Sequence, residues 1–402
     1  MSRELLSDRG AIGASRVAGN ILLSYKNLSE SDRRSFLGVL VRDFSPNPDD
    51  VGRAADAYRE DPSPGNLRQL QTVVEPPRQE LFRRLNMAPD GTRELIEIRR
   101  QVLNAMDTEP SLQPVAEDLG HLMASWFNSG FLTLDRIDWH SSAVVLEKLI
   151  AYEAVHQIRG WEDLRRRLEA DRRCYAFFHS ALPGEPLIFI EVALTRGMTE
   201  RIQPLIDPQA PVGDPESADF AIFYSITNCQ QGLRGVPFGS SLIKQVVEDL
   251  KTTLPRIKNY ATLSPIPGFR KWLDQQPGQD ELQDLLRSPD AADGARWPEE
   301  RRQQLLAACA LYLLGAKRNH EPLDSVARFH LKNGARLEQI NWMGDTSPRG
   351  MKQSGGLMAN YVYELDDLQK NHEVYLRSGQ VVAARRVERL AKQALRSNGD
   401  RR

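Results

Sequence analysis

Near Gly130 the chain changes rhythm, and that change limits the folds open to it. Before it, apolar residues recur at helical intervals. In "SESDRRSFLGVLVRDF", Ser29 or Ser31 is placed to cap a helix whose apolar side carries Phe36, Leu37, Leu40 and Val41. "TRELIEIRRQVLNAM" repeats the pattern with Leu95, Ile98, Val102 and Leu103. The breaks "SPNPDD", "DPSPGN", "EPPRQ" and "APDGT" are rich in residues that end helices. This spacing predicts a helical bundle over about residues 10–120. After Gly130, β-prone runs take over. Residues 174–179 and 187–194 flank the turn "LPGEP" and predict a hairpin, and "ADFAIFYSITN" (218–228) predicts a buried strand. Residues 239–254 and 299–318 read as helices, and "SVARFHLKNGARLEQINWM" reads as two strands around Asn333–Gly334. The fold class expected is α+β: an all-α bundle (1–120), then an α/β domain with a mixed sheet (121–402).

Composition excludes several roles. Of 402 residues, 27% are charged, and the net charge of -1 offers no basic excess for nucleic acid. The run Arg165–Arg173 is interleaved with Glu162, Asp163, Glu169 and Asp171, the pattern of a solvated helix face. Cys174, Cys229 and Cys309 stand far apart and suit a reducing compartment. No apolar run approaches a membrane span, and neither "MSRELLSDRG" nor "SNGDRR" carries a targeting signal, so the cytoplasm is expected. The histidines show no metal-ligand spacing, and no metal is expected. His140 and His156 read as surface or packed residues, His320 as a helix C-terminal residue. Trp126, Trp139, Trp161 and Trp342 read as packing anchors.

Two connectors bear chemistry. "TNCQQGLRGVPFGSSLIKQVV" leads from a strand into a helix through Gly232, Gly235 and Gly239. Glycines let backbone N–H groups approach a ligand, and a helix start adds unpaired donors and partial positive charge, the makings of a pyrophosphate site. Arg234, Ser240 and Ser241 could add contacts. The loop is neither a dinucleotide fingerprint nor a Walker loop. Its Arg-Gly-x-x-x-Gly-x-x-Leu pattern resembles the coenzyme A loop of the GNAT acyltransferase superfamily; a tight connector is the plain alternative. The second connector, "ATLSPIPGFRKWL", holds Ser264 and Ile266 extended before prolines, so one hydroxyl is presented at a stiff position.

Taken together, "SWFNSGFLTLDRIDWHS", "RRCYAFFHSALPGEPL", "AIFYSITNCQQGLRGV", "LSPIPGFRKWL", "ARFHLKNGARLEQINWMGD" and "GLMANYVYE" resemble the malonyl-CoA decarboxylase family. The resemblance implies a GNAT-like catalytic domain behind a helical N-terminal domain. It implies Ser264 and His330 as catalytic residues and a coenzyme A loop comprising Arg234, Gly235, Val236, Pro237, Phe238, Gly239 and Ser240, with Tyr363 near the pocket. Pro237 is a departure, since family members with a glutamate in this loop carry it at that position. The resemblance further implies a homotetramer. The implied reaction takes malonyl-CoA to acetyl-CoA and carbon dioxide, a step of fatty acid metabolism, with no separate cofactor because coenzyme A is part of the substrate. A GNAT-type acyltransferase and a non-catalytic acyl-CoA-binding protein are the competing readings.

Overall fold

The computed structural model of the chain describes residues 1–6, 13–236, 241–288 and 290–399. The chain divides into two compact units: Met1–Thr133 with Phe178–Leu187 and Asn228–Gly239, and Leu134–Phe177 with Ile188–Thr227 and Ser240–Arg402.

The first unit is built from the helices Ala14–Asn27, Glu30–Asp43, Pro48–Glu60, Pro64–Val74, Pro77–Asn86, Gly91–Ala105 and Gln113–Trp126. The turn clusters start helices as well as stop them. Pro48, Pro64 and Pro77 each occupy the first helical position, where the missing N–H costs nothing. Ser29, Asn47 and Ser63 cap with their side chains. Leu81, Leu95, Val102, Val115, Leu119 and Met123 are wholly buried at helical spacings. Arg78 and Asp118 form a buried ion pair among them.

The second unit contains most of the sheet. Its strands are β1 (Leu132–Ile137), β2 (Arg172–His179), β3 (Ile188–Thr195), β4 (Phe220–Asn228), β5 (Asn259–Thr262), β6 (Ser264–Pro265), β9 (Arg336–Asn341) and β10 (Met358–Val362); β7 (Lys317–Arg318) and β8 (Glu321–Pro322) form a separate ribbon. The order is β1-β2-β3-β4-β5-β10-β6, with β9 also on β10. β2 and β3 form the expected antiparallel hairpin. β4 and β5 run parallel, joined through the helix Ser241–Thr253, so the sheet is mixed as expected. β5 and β6 share one antiparallel register with β10: Val362 faces Ala261 and Ala359 faces Ser264.

Several expectations are corrected. Residues 325–332 form the helix Ser325–Lys332, not the first arm of a hairpin. Asp324 caps its start, Ala327, His330 and Leu331 make its buried side, and Gly334, at φ +82°, turns the chain into β9. His320 sits in the β7–β8 turn at φ +67°, not at a helix end. The basic run is not a solvated face. Arg166 pairs with Asp171 through two bonds of 2.7 and 3.0 Å, and Arg167 pairs with Glu191 at 3.0 Å, all four buried. Trp139 and Trp161 are 45% and 49% exposed, so they are not core anchors. Trp139 instead lies under the Arg165 guanidinium, 5.6 Å away.

Candidate active site

β5 ends at Thr262, and Ser264 follows after one residue, so the side chains of Thr262 and Ser264 lie on the same side of the strand. Although the register with β10 is continuous, side chains stand in for backbone groups here. The Tyr361 N–H donates to Thr262 Oγ1 (3.1 Å), and Asn360 Nδ2 donates to the Thr262 carbonyl (2.6 Å). Asn360 Oδ1 in turn accepts from Asn341 Nδ2 (2.7 Å) and Gln339 Nε2 (2.9 Å). The pairing of β10 with β9 shifts between Asn360 and Tyr361. This is an irregular patch of sheet in which every buried polar group named has a partner.

His330 arrives from the helix Ser325–Lys332. Its Nε2 lies 3.0 Å from Ser264 Oγ, and its Nδ1 lies 2.8 Å from the Tyr363 hydroxyl. Ser264 also donates to Thr262 Oγ1 at 2.8 Å. The imidazole stacks on Tyr361, with centroids 4.7 Å apart and planes 26° apart. Burial pushes the His330 pKa down to about 3 and the Tyr363 hydroxyl well above its ordinary value. At neutral pH this is therefore a chain of neutral groups, Tyr363–His330–Ser264–Thr262. The sequence-predicted residues Ser264, His330 and Tyr363 are brought together as expected, with His330 on a helix instead of a strand.

A clamp fixes the two elements that meet here. Asp324 Oδ1 accepts the N–H groups of Val326 (3.0 Å) and Ala327 (2.9 Å) at the start of the His330 helix. Its Oδ2 accepts from the Gly268 N–H and the Tyr312 hydroxyl, each at 3.4 Å. Gly268 closes the Ser-Pro-Ile-Pro-Gly block, and a Cβ there would sit 2.2 Å from the Tyr312 oxygen, so a larger residue would have to push the Tyr312 ring aside. Beside Tyr363 lies a hollow of about 10 Å³ lined also by Ile243, Lys244 and Val247 of the helix Ser241–Thr253. A larger one of about 590 Å³, lined by Trp272, Gln276, Gln303 and Leu311 among others, contains none of the site residues.

In the first unit, Arg234 and Gly235 are exposed and Val236 is buried. Gly235 has φ +81°, a conformation glycine adopts without strain. Arg99, on the helix Gly91–Ala105, holds this stretch: its Nη1 donates to the carbonyls of Gly232 (2.5 Å) and Arg234 (3.0 Å). Gly232 packs so closely on that helix that a Cβ would lie 2.0 Å from the Ile96 oxygen. Pro237, Phe238, Gly239 and Ser240 lie outside the described residues. Among the described residues, no group of three or more His, Cys, Asp or Glu is placed to hold a metal.

Thr262, Asn360 and Asp324 were not singled out in the sequence. Asp324 carried a legible signal, an acidic cap directly before apolar residues at helical spacing. Thr262 and Asn360 carried none, since their roles depend on strand register.

Comparison with known proteins bears on what this constellation serves. A family model described as the malonyl-CoA decarboxylase C-terminal domain matches residues 130–401, and one described as the N-terminal domain matches residues 44–127. "Malonyl-CoA decarboxylase, mitochondrial" of Anser anser anser is 36% identical over 420 residues, covering 93% of this chain and 83% of the relative. The crystal structure of malonyl-CoA decarboxylase from Rhodopseudomonas palustris is 45% identical with a TM-score of 0.91, covering 96% of this chain and 97% of its own. That from Agrobacterium vitis is 44% identical with a TM-score of 0.87, covering 97% and 98%. Matched in order over nearly its whole length, this chain belongs to the malonyl-CoA decarboxylase family.

Proposed function

We propose that the chain converts malonyl-CoA to acetyl-CoA and carbon dioxide at Ser264 and His330. The observation that carries the assignment of residues is the buried hydrogen-bonded chain Tyr363–His330–Ser264, held between a proline-stiffened strand end and a capped helix.

The chemistry follows from the substrate. The electrons of the bond between the α-carbon and the carboxylate pass into the thioester carbonyl as carbon dioxide leaves, giving an enolate. The thioester is the electron sink, so the reading calls for no separate cofactor. A thioester enolate is a far stronger base than an alkoxide or a phenolate, so neutral donors suffice to quench it. The α-carbon takes the Ser264 proton, Ser264 takes the proton on His330 Nε2, and His330 Nδ1 takes the Tyr363 proton. Water then reprotonates Tyr363, and exchange of the ring protons with water returns His330 from Nδ1–H to Nε2–H before the next turnover. A positioned proton donor of this kind contributes about 10²–10⁴-fold, and the stiffness of the Ser264 block serves the alignment that proton transfer requires.

The remaining parts of the reading are a coenzyme A loop at Arg234–Ser240, self-association through the helical region 1–120 to a homotetramer, cytoplasmic residence, and no nucleic acid partner. Among the described residues no helix is long and apolar enough to cross a membrane. The test is carbon dioxide release from malonyl-CoA with no acyl acceptor present, which also separates a decarboxylase from an acyltransferase. Ser264→Ala and His330→Ala should each lower turnover at least about 100-fold. Near-normal turnover in either variant removes that residue from the chemistry.

A further inference from the structure

The polarity of the buried chain is set at the end away from Tyr363. Thr262 Oγ1 receives the Tyr361 N–H, a group that can only donate. The geometry at the same oxygen also makes Ser264 the donor across their 2.8 Å contact. Ser264 has one proton. With that proton on Thr262, Ser264 Oγ meets His330 Nε2 at 3.0 Å as an acceptor, and Nε2 must carry hydrogen. A neutral imidazole then has a bare Nδ1, which the Tyr363 hydroxyl serves at 2.8 Å. Each bond in the chain thus determines the next.

We infer that Thr262 is a positioning residue for the proton-transfer step: its hydroxyl oxygen, wholly buried and fixed as an acceptor by the opened strand pairing, holds the Ser264 proton at rest and so selects the Nε2–H tautomer of His330. The consequence for the reaction is directional. The resting imidazole already donates toward Ser264, the arrangement needed to pass a proton outward to a carbanion. A hydrolase-type serine, which gives its proton to the imidazole, needs the opposite arrangement. The inference rests on the decarboxylase reading for its purpose, but the tautomer does not depend on turnover.

The experiment is nitrogen-15 NMR of the full chain labelled at histidine, at neutral pH, with the His330 signals identified by their loss in His330→Gln. Ring-nitrogen shifts separate a protonated from a bare nitrogen. The wild type should show Nε2–H, and Thr262→Ser, which keeps the hydroxyl, should show the same. Thr262→Val, similar in shape but without the hydroxyl, should release the Ser264 proton to Nε2 and switch His330 to Nδ1–H. Its kcat should fall at least about 10-fold with KM within about twofold. Thr262→Ala gives the same reading should the valine variant not fold. An Nδ1–H wild type, or a hydroxyl-free variant that keeps Nε2–H, overturns the inference. Absence of carbon dioxide release by the wild type would instead remove the decarboxylase reading and leave the tautomer result standing.

Discussion

Replacing Asp324 tests whether one carboxylate holds both halves of the site. The side chain is 1% exposed and accepts four hydrogen bonds, two from the His330 helix and one each from Gly268 and Tyr312. Asp324→Ala loses an N-cap, which costs about 1 kcal/mol. It also leaves the Gly268 N–H without its carboxylate partner, for about 1–2 kcal/mol more. The total of about 2–3 kcal/mol should be measurable by denaturant unfolding. Burial raises the Asp324 pKa in the folded chain, so the folded state holds that proton to higher pH than the unfolded one. Its contribution is therefore fully present below the ordinary carboxylate range and is lost as pH rises through the folded pKa. Asp324→Asn keeps the cap oxygen without the buried charge and should be more stable than the alanine variant at neutral pH. Because Ser264 and His330 are referenced to each other through this group, the alanine variant should lose about 100-fold in kcat, the effect of a misplacement near 1 Å, with KM little changed. Wild-type kcat in Asp324→Ala would refute the clamp; Asp324→Asn, whose amide nitrogen cannot accept the Gly268 N–H, should lose kcat as well.

Burial holds His330 neutral, with its pKa near 3, so kcat should stay flat between about pH 6 and 8 with no inflection near 6.5; an imidazole-type limb in that range would contradict it. The same depression links His330 to stability. Its contribution is present above the unfolded value and is lost as pH falls from about 6.5 toward 3, with a ceiling of about 4–5 kcal/mol. His156, lowered to about 4 chiefly by burial and then by Arg167, acts in the same direction, and unfolding followed across this range should show acid lability. Gly232→Ala would drive a methyl into the Ile96 carbonyl and should destabilise by about 1–3 kcal/mol; under the proposed role of the loop it should also raise the KM for malonyl-CoA, measured by initial rates, with kcat less affected.

Much of this architecture was legible because it is local. Proline at a helix start, a serine or asparagine cap and a helical apolar stripe are properties of a few consecutive residues, and the bundle helices follow from them. The stiffness of Ser264 was legible for the same reason. His330 was placed on the wrong element because Asn333–Gly334 has the composition of a hairpin turn, and the competing helix signal at Asp324 went unread. In the structure that glycine ends a helix. The basic run was misread because charge interleaving resembles a solvated face, whereas Arg167 finds Glu191 on a strand that sequence spacing cannot connect to it. Thr262 and Asn360 were invisible, since their bonds exist only once β10 is laid beside β5.

Pro265 and Pro267 do more than stiffen a serine. The described register of β4 with β5 ends at Phe223 and Thr262, although β4 itself continues to Asn228. Without N–H groups at residues 265 and 267, the chain beyond Ser264 cannot offer the evenly spaced donors that a parallel neighbour would need. The prolines thus work as a wedge, keeping two strands from zipping together past the point where the Ser264 hydroxyl stands.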